Sequence, residues 1–190
     1  MKISIYDNND KLAYNPNTLK NMGVGGTQTI IIELARELAS RGHKVTVYNK
    51  CNFPDIYDDV KYMQHYDYKP DGEDALIGFE SFPKQTNATK IINWSTRVNV
   101  ANVARFADVD HLVVLSEWHR DRYASELPNE LVKKTVVIEP GVREGFFKEQ
   151  KKWDLSIGYA GHPAKGGMNA LIEFARRLKP KMRCLNASNP

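Results

Sequence analysis

Gly23, Gly25 and Gly26 stand directly ahead of a run, Thr27 to Arg41, with helical periodicity. Glycines in such a loop can take positive φ and let a ligand come close to the backbone. The first turn of a helix adds N–H groups that have no intrahelical partner and attract an anion. The combination suits a phosphorylated or sugar-like ligand. The alternative is a plain α/β crossover whose glycines only turn the chain.

Several chemistries fail on spacing. A dinucleotide fingerprint needs G-x-G-x-x-G directly after the first strand and an acid at the end of the second. Here the loop from Asp7 to Met22 intervenes, Gln28 holds the third glycine's place, and the second strand ends Val47-Tyr48-Asn49. No Gly-Lys-Ser/Thr follows the glycines, so a P-loop is excluded. Asp108-Val109-Asp110 has metal-binding spacing but precedes a strand, which makes it a helix-to-strand turn. The histidines, at 43, 65, 111, 119 and 162, form no i, i+4 pair on a helix, and no Gly-x-Ser-x-Gly elbow exists.

The elements that would position this chemistry alternate along the chain. Strands are predicted at Ile3–Tyr6, Lys44–Asn49, Val60–His65, Ala75–Phe79, Lys90–Trp94, His111–Leu115 and Thr135–Ile138. Helices are predicted at Thr27–Arg41, where Ile31, Leu34, Ala35 and Leu38 share a face, at Val98–Phe106, and at Glu117–Leu127 with Ser116 as N-cap. Residues 7–22, with Asn15-Pro16-Asn17, read as a polar loop. Continuous apolar strands between helices indicate an α/β fold: a Rossmann-like parallel sheet with helices on both faces. Ligands on such sheets bind beyond the carboxyl ends of the strands, which singles out the loops after Tyr6, Phe79, Trp94, Leu115 and Ile138.

A charged, aromatic stretch without periodicity, Arg143–Trp153, marks a boundary. A new unit follows it: a strand at Leu155–Ala160, a helix at Met168–Leu178 and a short strand at Met182–Leu185. The expected organisation is therefore one domain over 1–147 and an incomplete second α/β unit over 148–190.

Of the 190 residues 42% are hydrophobic, which suits a globular core, and no apolar run approaches the roughly 20 residues of a membrane span. The opening MKISIYDNND lacks the apolar region of a signal peptide, and Cys51 and Cys184 lie far apart without metal-ligand spacing. A reducing, cytoplasmic setting is expected. Asn87, Asn93 and Asn186 start glycosylation triplets that would matter only in a secreted protein. The net charge of +4 is uneven, with an acidic run over 55–74 and a basic C-terminal end. The basic residues are read as helix solvation and capping, not as a nucleic-acid site, with an anionic membrane surface as a weaker option.

The runs GGTQTIIIELARELASRGHKVTVY, HLVVLSEWHRDRY and VVIEPGV, in that order, resemble the N-terminal half of GT-B retaining glycosyltransferases of the family 4 type. The resemblance covers about residues 1–178. It implies transfer of a sugar from a nucleotide sugar to a glycan or other acceptor with retention, without a metal or other cofactor. It implies an N-terminal acceptor domain and a C-terminal donor domain. Gly25, Gly26, Thr27 and Gln28 would then line the cleft, Gln28 standing where many relatives have Glu. Ser116, Glu117, Trp118 and His119, after a strand end, would face the same cleft or serve only as an N-cap and surface helix. Lys165 in Pro163-Ala164-Lys165-Gly166 would neutralise a departing diphosphate, or be an ordinary surface lysine.

The chain departs from that pattern in two ways. Where relatives carry a histidine or acid after the strand matching Lys90–Trp94, it has Ser95-Thr96-Arg97; Arg97 suits an anionic group but cannot be a general base. The later Glu-bearing donor loops are absent, so a shortened form or a partner chain with the donor domain is expected. The reading from another class is a non-catalytic sugar- or nucleotide-binding or interaction module. One mutational expectation follows from the glycine loop: Gly26→Val should abolish binding by demanding positive φ of a β-branched residue.

Overall fold

The computed structural model of the protein describes residues 1–9, 11–21, 24–97, 108–141, 172–173 and 176–177. The chain divides into two compact units, Met1–Gly141 and Val142–Pro190.

The first unit is α/β. In chain order it comprises β1 (Lys2–Tyr6), α1 (Pro16–Asn21), α2 (Gly26–Ser40), β2 (Lys44–Asn49), β3 (Asp55–Tyr57), β4 (Val60–Gln64), β5 (Ala75–Phe79), β6 (Lys90–Trp94), β7 (His111–Val114), α3 (Glu117–Ala124), α4 (Asn129–Lys133) and β8 (Thr135–Val137). Eight strands form one sheet in the order β3-β4-β2-β1-β5-β6-β7-β8. Every neighbouring pair is parallel except β3 with β4.

Alternation along the strands divides the core into two layers. Ile3, Ile5, Val45, Val47, Ala75, Ile77, Trp94 and Val113 pack with Ile31, Ile32 and Ala35 of α2. Leu112 and Val114 point to the opposite face and pack with Tyr123 of α3, Leu131 of α4 and Leu127 between them. Helices thus cover both faces, as parallel strands without a solvent-facing side require.

Three elements differ from the sequence expectation. The polar loop after β1 contains α1, because Asn15 acts as its N-cap, accepting from Thr18 N at 3.0 Å, and Pro16 opens the helix with φ already fixed. The sheet has an antiparallel edge, β3, joined to β4 by a two-residue turn in which Asp58 and Asp59 take φ of 50° and 61°. Two positive φ values in succession define a type I′ turn, whose twist matches a hairpin. The predicted helix Glu117–Leu127 ends at Ala124, and the separate short α4 follows Pro128. Asp108–Asp110 lies at the amino end of β7 as a turn, where Asp110 accepts from Ile91 N at 2.8 Å.

Of the second unit, residues 172–173 and 176–177 are helical, with Arg177 donating to Glu173 at 3.2 Å. The predicted strands Leu155–Ala160 and Met182–Leu185, the boundary Arg143–Trp153, Lys165, the helix Val98–Phe106 and Gly23 lie outside the described residues.

Candidate functional site

Strand order locates a crevice before any side chain is considered. From β1 the chain moves to β2 and β4 on one side, then crosses back to β5, β6, β7 and β8 on the other. Connections leaving in opposite directions part above the carboxyl ends of β1 and β5, which is the switch point where open α/β sheets bind ligands. A cavity of about 510 Å³ lies there, lined by residues that follow β1 (Asp7, Asn8, Asn9, Lys11), β5 (Glu80) and β6 (Thr96, Arg97), with Phe79 and with Thr27 from the first turn of α2. That volume falls in the range of small-molecule sites.

Glu80 organises this end of the sheet. Its carboxylate Oε1 accepts from Thr96 N at 2.6 Å, Arg97 N at 2.9 Å and Ser95 Oγ at 3.1 Å. Glu80 has φ of 58°, a left-handed conformation that costs a side-chain-bearing residue about 1–2 kcal/mol. The sharp turn brings the carboxylate over the β6 loop. The next residues double back on the strand: a Cβ on Gly78 would stand 2.4 Å from both Phe82 Cε1 and Ser81 O, so only glycine permits this return.

The β6 loop is fastened from below as well. The Arg97 carbonyl accepts from the Tyr123 hydroxyl at 2.6 Å and from His119 Nε2 at 2.9 Å. Leu115 N donates to His119 Nδ1 at 3.3 Å, which makes Nδ1 the acceptor and Nε2–H the donor. Burial raises the Tyr123 pKa above its ordinary 10.0, so the hydroxyl keeps the proton it donates. Both backbone polar groups of Arg97 are thus engaged, and Arg97 is one of the residues that line the cavity.

On the β1 side, Asp7 is 4% exposed, accepts from Tyr14 Oη at 2.8 Å and from Asn9 N at 3.0 Å, and has its carboxyl pKa raised by burial. Thr27 Oγ1 lies 3.0 Å from Thr96 Oγ1, linking the start of α2 to the β6 loop. Phe79 borders the cavity but is only 2% exposed; its ring belongs to the core and stacks on Trp94 with centroids 5.6 Å apart, which supports the strand end rigidly.

Among the residues singled out from sequence, Thr27 and Arg97 line the cavity. Gly25 is the N-cap of α2 with φ of −66°, and Gly26 is its first helical residue, where an added Cβ would meet nothing within 4 Å. The expectation that this pair works through positive φ is therefore corrected; Gly42 and Gly72 are the described glycines that take it. What Gly25 provides is room, since a Cβ there would stand 2.6 Å from Oε1 of the buried Gln28. Ser116 caps α3 by accepting from His119 N at 3.1 Å, Trp118 is 64% exposed, and Glu117 is exposed and paired with Arg120. His119 reaches the cavity only through the Arg97 carbonyl.

Asp7, Asn8, Asn9, Lys11 and Glu80 were not singled out individually, although the loops after Tyr6 and Phe79 were. Glu80 carried no local signal, because its role depends on the register that sets β5 beside β6. Among the described residues, no three His, Cys, Asp or Glu side chains group closely enough to hold a metal ion, and no helix is long and apolar enough to cross a membrane. The fold and site define a Rossmann-like α/β domain with a polar switch-point pocket. No protein-family model and no curated protein matches this chain.

Proposed function

We propose that the protein is a glycosyltransferase of GT-B type, moving a sugar from a nucleotide sugar to an acceptor with retention, and that the switch-point pocket of residues 1–141 receives the acceptor. The observation that carries the reading is the polar cavity at the β1/β5 switch point, about 510 Å³, lined by residues that bear hydroxyl, amide, carboxylate and cationic groups. That mixture suits a polyhydroxylated ligand, whose hydroxyls need both donors and acceptors. In the reaction, the acceptor oxygen forms the new bond to the sugar's anomeric carbon. The bond to the diphosphate breaks, the diphosphate leaves with its electron pair, and the hydroxyl proton passes to the departing phosphate or solvent.

Incubating the chain with uridine-, guanosine- and adenosine-diphosphate sugars and measuring nucleoside diphosphate release tests the reading. Release that is saturable and lost when Thr96 is changed to Val supports it. Sugar binding without release favours the second reading, a non-catalytic sugar-binding module. That alternative draws support from Ser95 and Thr96, whose polar groups are committed to Glu80, Tyr123 and Thr27.

A further inference from the structure

We infer that the ligand of this pocket is an anionic polyol, a hydroxylated molecule carrying a phosphate or carboxylate; this rests on the reading of the pocket as an acceptor site. Among the described residues, two carboxylates and two cations line the cavity, and they are not equivalent. Asp7 has both oxygens occupied, by Asn9 N and by Tyr14 Oη. Glu80 has Oε1 occupied by the Ser95–Arg97 loop. The cationic ends of Lys11 and Arg97, by contrast, make no hydrogen bond or ion pair with any described residue, although Arg97 lies within electrostatic reach of Asp7. Neutral N–H and O–H donors thus occupy most of the carboxylates' acceptor capacity in holding the loops, while the donors of Lys11 and Arg97 remain available to a ligand.

The start of α2 points the same way. This helix of 15 residues begins at Gly26, its N-cap Gly25 makes no side-chain cap hydrogen bond, and its first turn contains no acid. A helix start commonly carries such a group to satisfy its free N–H donors and complement its dipole. Thr27 sets this uncapped end at the cavity wall, near Thr96. Three sources of positive potential, Lys11, Arg97 and the α2 terminus, therefore converge on one cavity. The remaining groups suit hydroxyls: Asn8 and Asn9 offer amides, and Glu80 Oε2 accepts no hydrogen bond from the described residues. An anion against Arg97 and Lys11, with a neighbouring hydroxyl donating to Glu80 Oε2, matches the free cations and the free carboxylate oxygen, and the Asn8 and Asn9 amides remain for further hydroxyls. Arginine suits both carboxylate and phosphate, so the chemistry they share is what the pocket selects.

Calorimetry on the full chain at low ionic strength, with glucose 6-phosphate, glucuronate and glucose as probes, tests this. Both anionic probes should bind at least about tenfold more tightly than glucose, with a preference that shrinks as salt rises. Glucose 6-phosphate ahead of glucuronate would identify phosphate as the natural group, and the reverse order carboxylate. Arg97→Gln should collapse the preference at least about fivefold, and Arg97→Lys should restore part of it. Circular dichroism of both variants verifies that the fold persists. Equal affinity for all three probes, no measurable binding of any, or an unchanged preference in Arg97→Gln overturns the inference. The proposed transfer reaction fails separately. Anion preference without nucleotide release overturns the reaction and leaves the ligand class standing, whereas release with a neutral acceptor alone overturns the ligand class.

Discussion

Glu80 offers the sharpest test of how the pocket is built, because one residue carries two opposing terms. Its Oε1 accepts charge-assisted bonds from Thr96 N at 2.6 Å and Arg97 N at 2.9 Å, while its φ of 58° stores backbone strain. A hydrogen bond to a charged group contributes about 1.5–3 kcal/mol. The Thr96 donor is partly buried and loses that amount, whereas the exposed Arg97 N–H is rehydrated and loses less. Ser95 Oγ keeps a neighbour in Tyr123 Oη, 2.6 Å away, and adds little. Glu80→Ala should therefore destabilise the fold by about 2–3 kcal/mol. Glu80→Gly loses the same bonds but relieves the left-handed strain, and should recover about 1 kcal/mol relative to alanine. Glu80→Gln keeps the acceptor without its charge and should cost about 1 kcal/mol. Urea unfolding followed by tryptophan fluorescence gives the ranking wild type, Gln, Gly, Ala. A glycine variant no more stable than alanine would refute the strain argument, and an alanine variant within about 0.5 kcal/mol of wild type would refute the account of the loop.

Three further perturbations test other supports. Tyr123→Phe removes the donor at 2.6 Å from the Arg97 carbonyl and should lower stability by about 1 kcal/mol, with amide exchange at Ser95–Arg97 accelerating more than in α2; uniform acceleration would count against it. Gly78→Ala should cost about 1–3 kcal/mol, since its Cβ meets Ser81 O and Phe82 at 2.4 Å, whereas Gly26→Ala, in open space on a helix, should be neutral or stabilising by thermal melting. Burial raises the Asp7 pKa above 3.8, so the folded state holds its proton more tightly than the unfolded chain. Asp7 therefore contributes most below pH 3.8 and loses that contribution as pH rises through the folded value. Asp7→Asn should gain stability over wild type progressively as pH rises from 3.8 through the raised folded value, and a gain that shrinks as pH rises would reverse the assigned sign.

How much was legible depended on whether a signal was local. The strands at Lys44–Asn49, Ala75–Phe79 and Lys90–Trp94 have the predicted bounds, because continuous β-branched and apolar runs ended by polar residues can form little else. Ser116 capping α3 was legible for the same reason: a cap and its N–H partner lie three residues apart. The helix α1 was equally local, in Asn15-Pro16, but the same residues also signal a loop. The edge strand β3 was not legible, since Asp55-Ile56-Tyr57 is short and becomes a strand only by pairing with Tyr62, Lys61 and Val60.

The sequence by itself determined the alternation of strands and helices, hence a parallel sheet, and from that the loops that could hold a ligand. Those after Tyr6, Phe79 and Trp94 do line the cavity. Periodicity and capping are short-range properties, written in residues a few positions apart. The glycines ahead of α2 looked like the site because of their type, yet Gly25 and Gly26 contribute space and an uncapped helix start, not positive φ. Only the tertiary structure decided that Asp7, Glu80, Thr96 and Arg97 meet, because strand order sets β1 beside β5 and β5 beside β6 across long stretches of chain. The free energy of that meeting resides in hydrogen bonds such as Thr96 N to Glu80 and the Arg97 carbonyl to Tyr123, between residues 16 and 26 positions apart. No local pattern encodes such pairs; they exist once the sheet has closed its register.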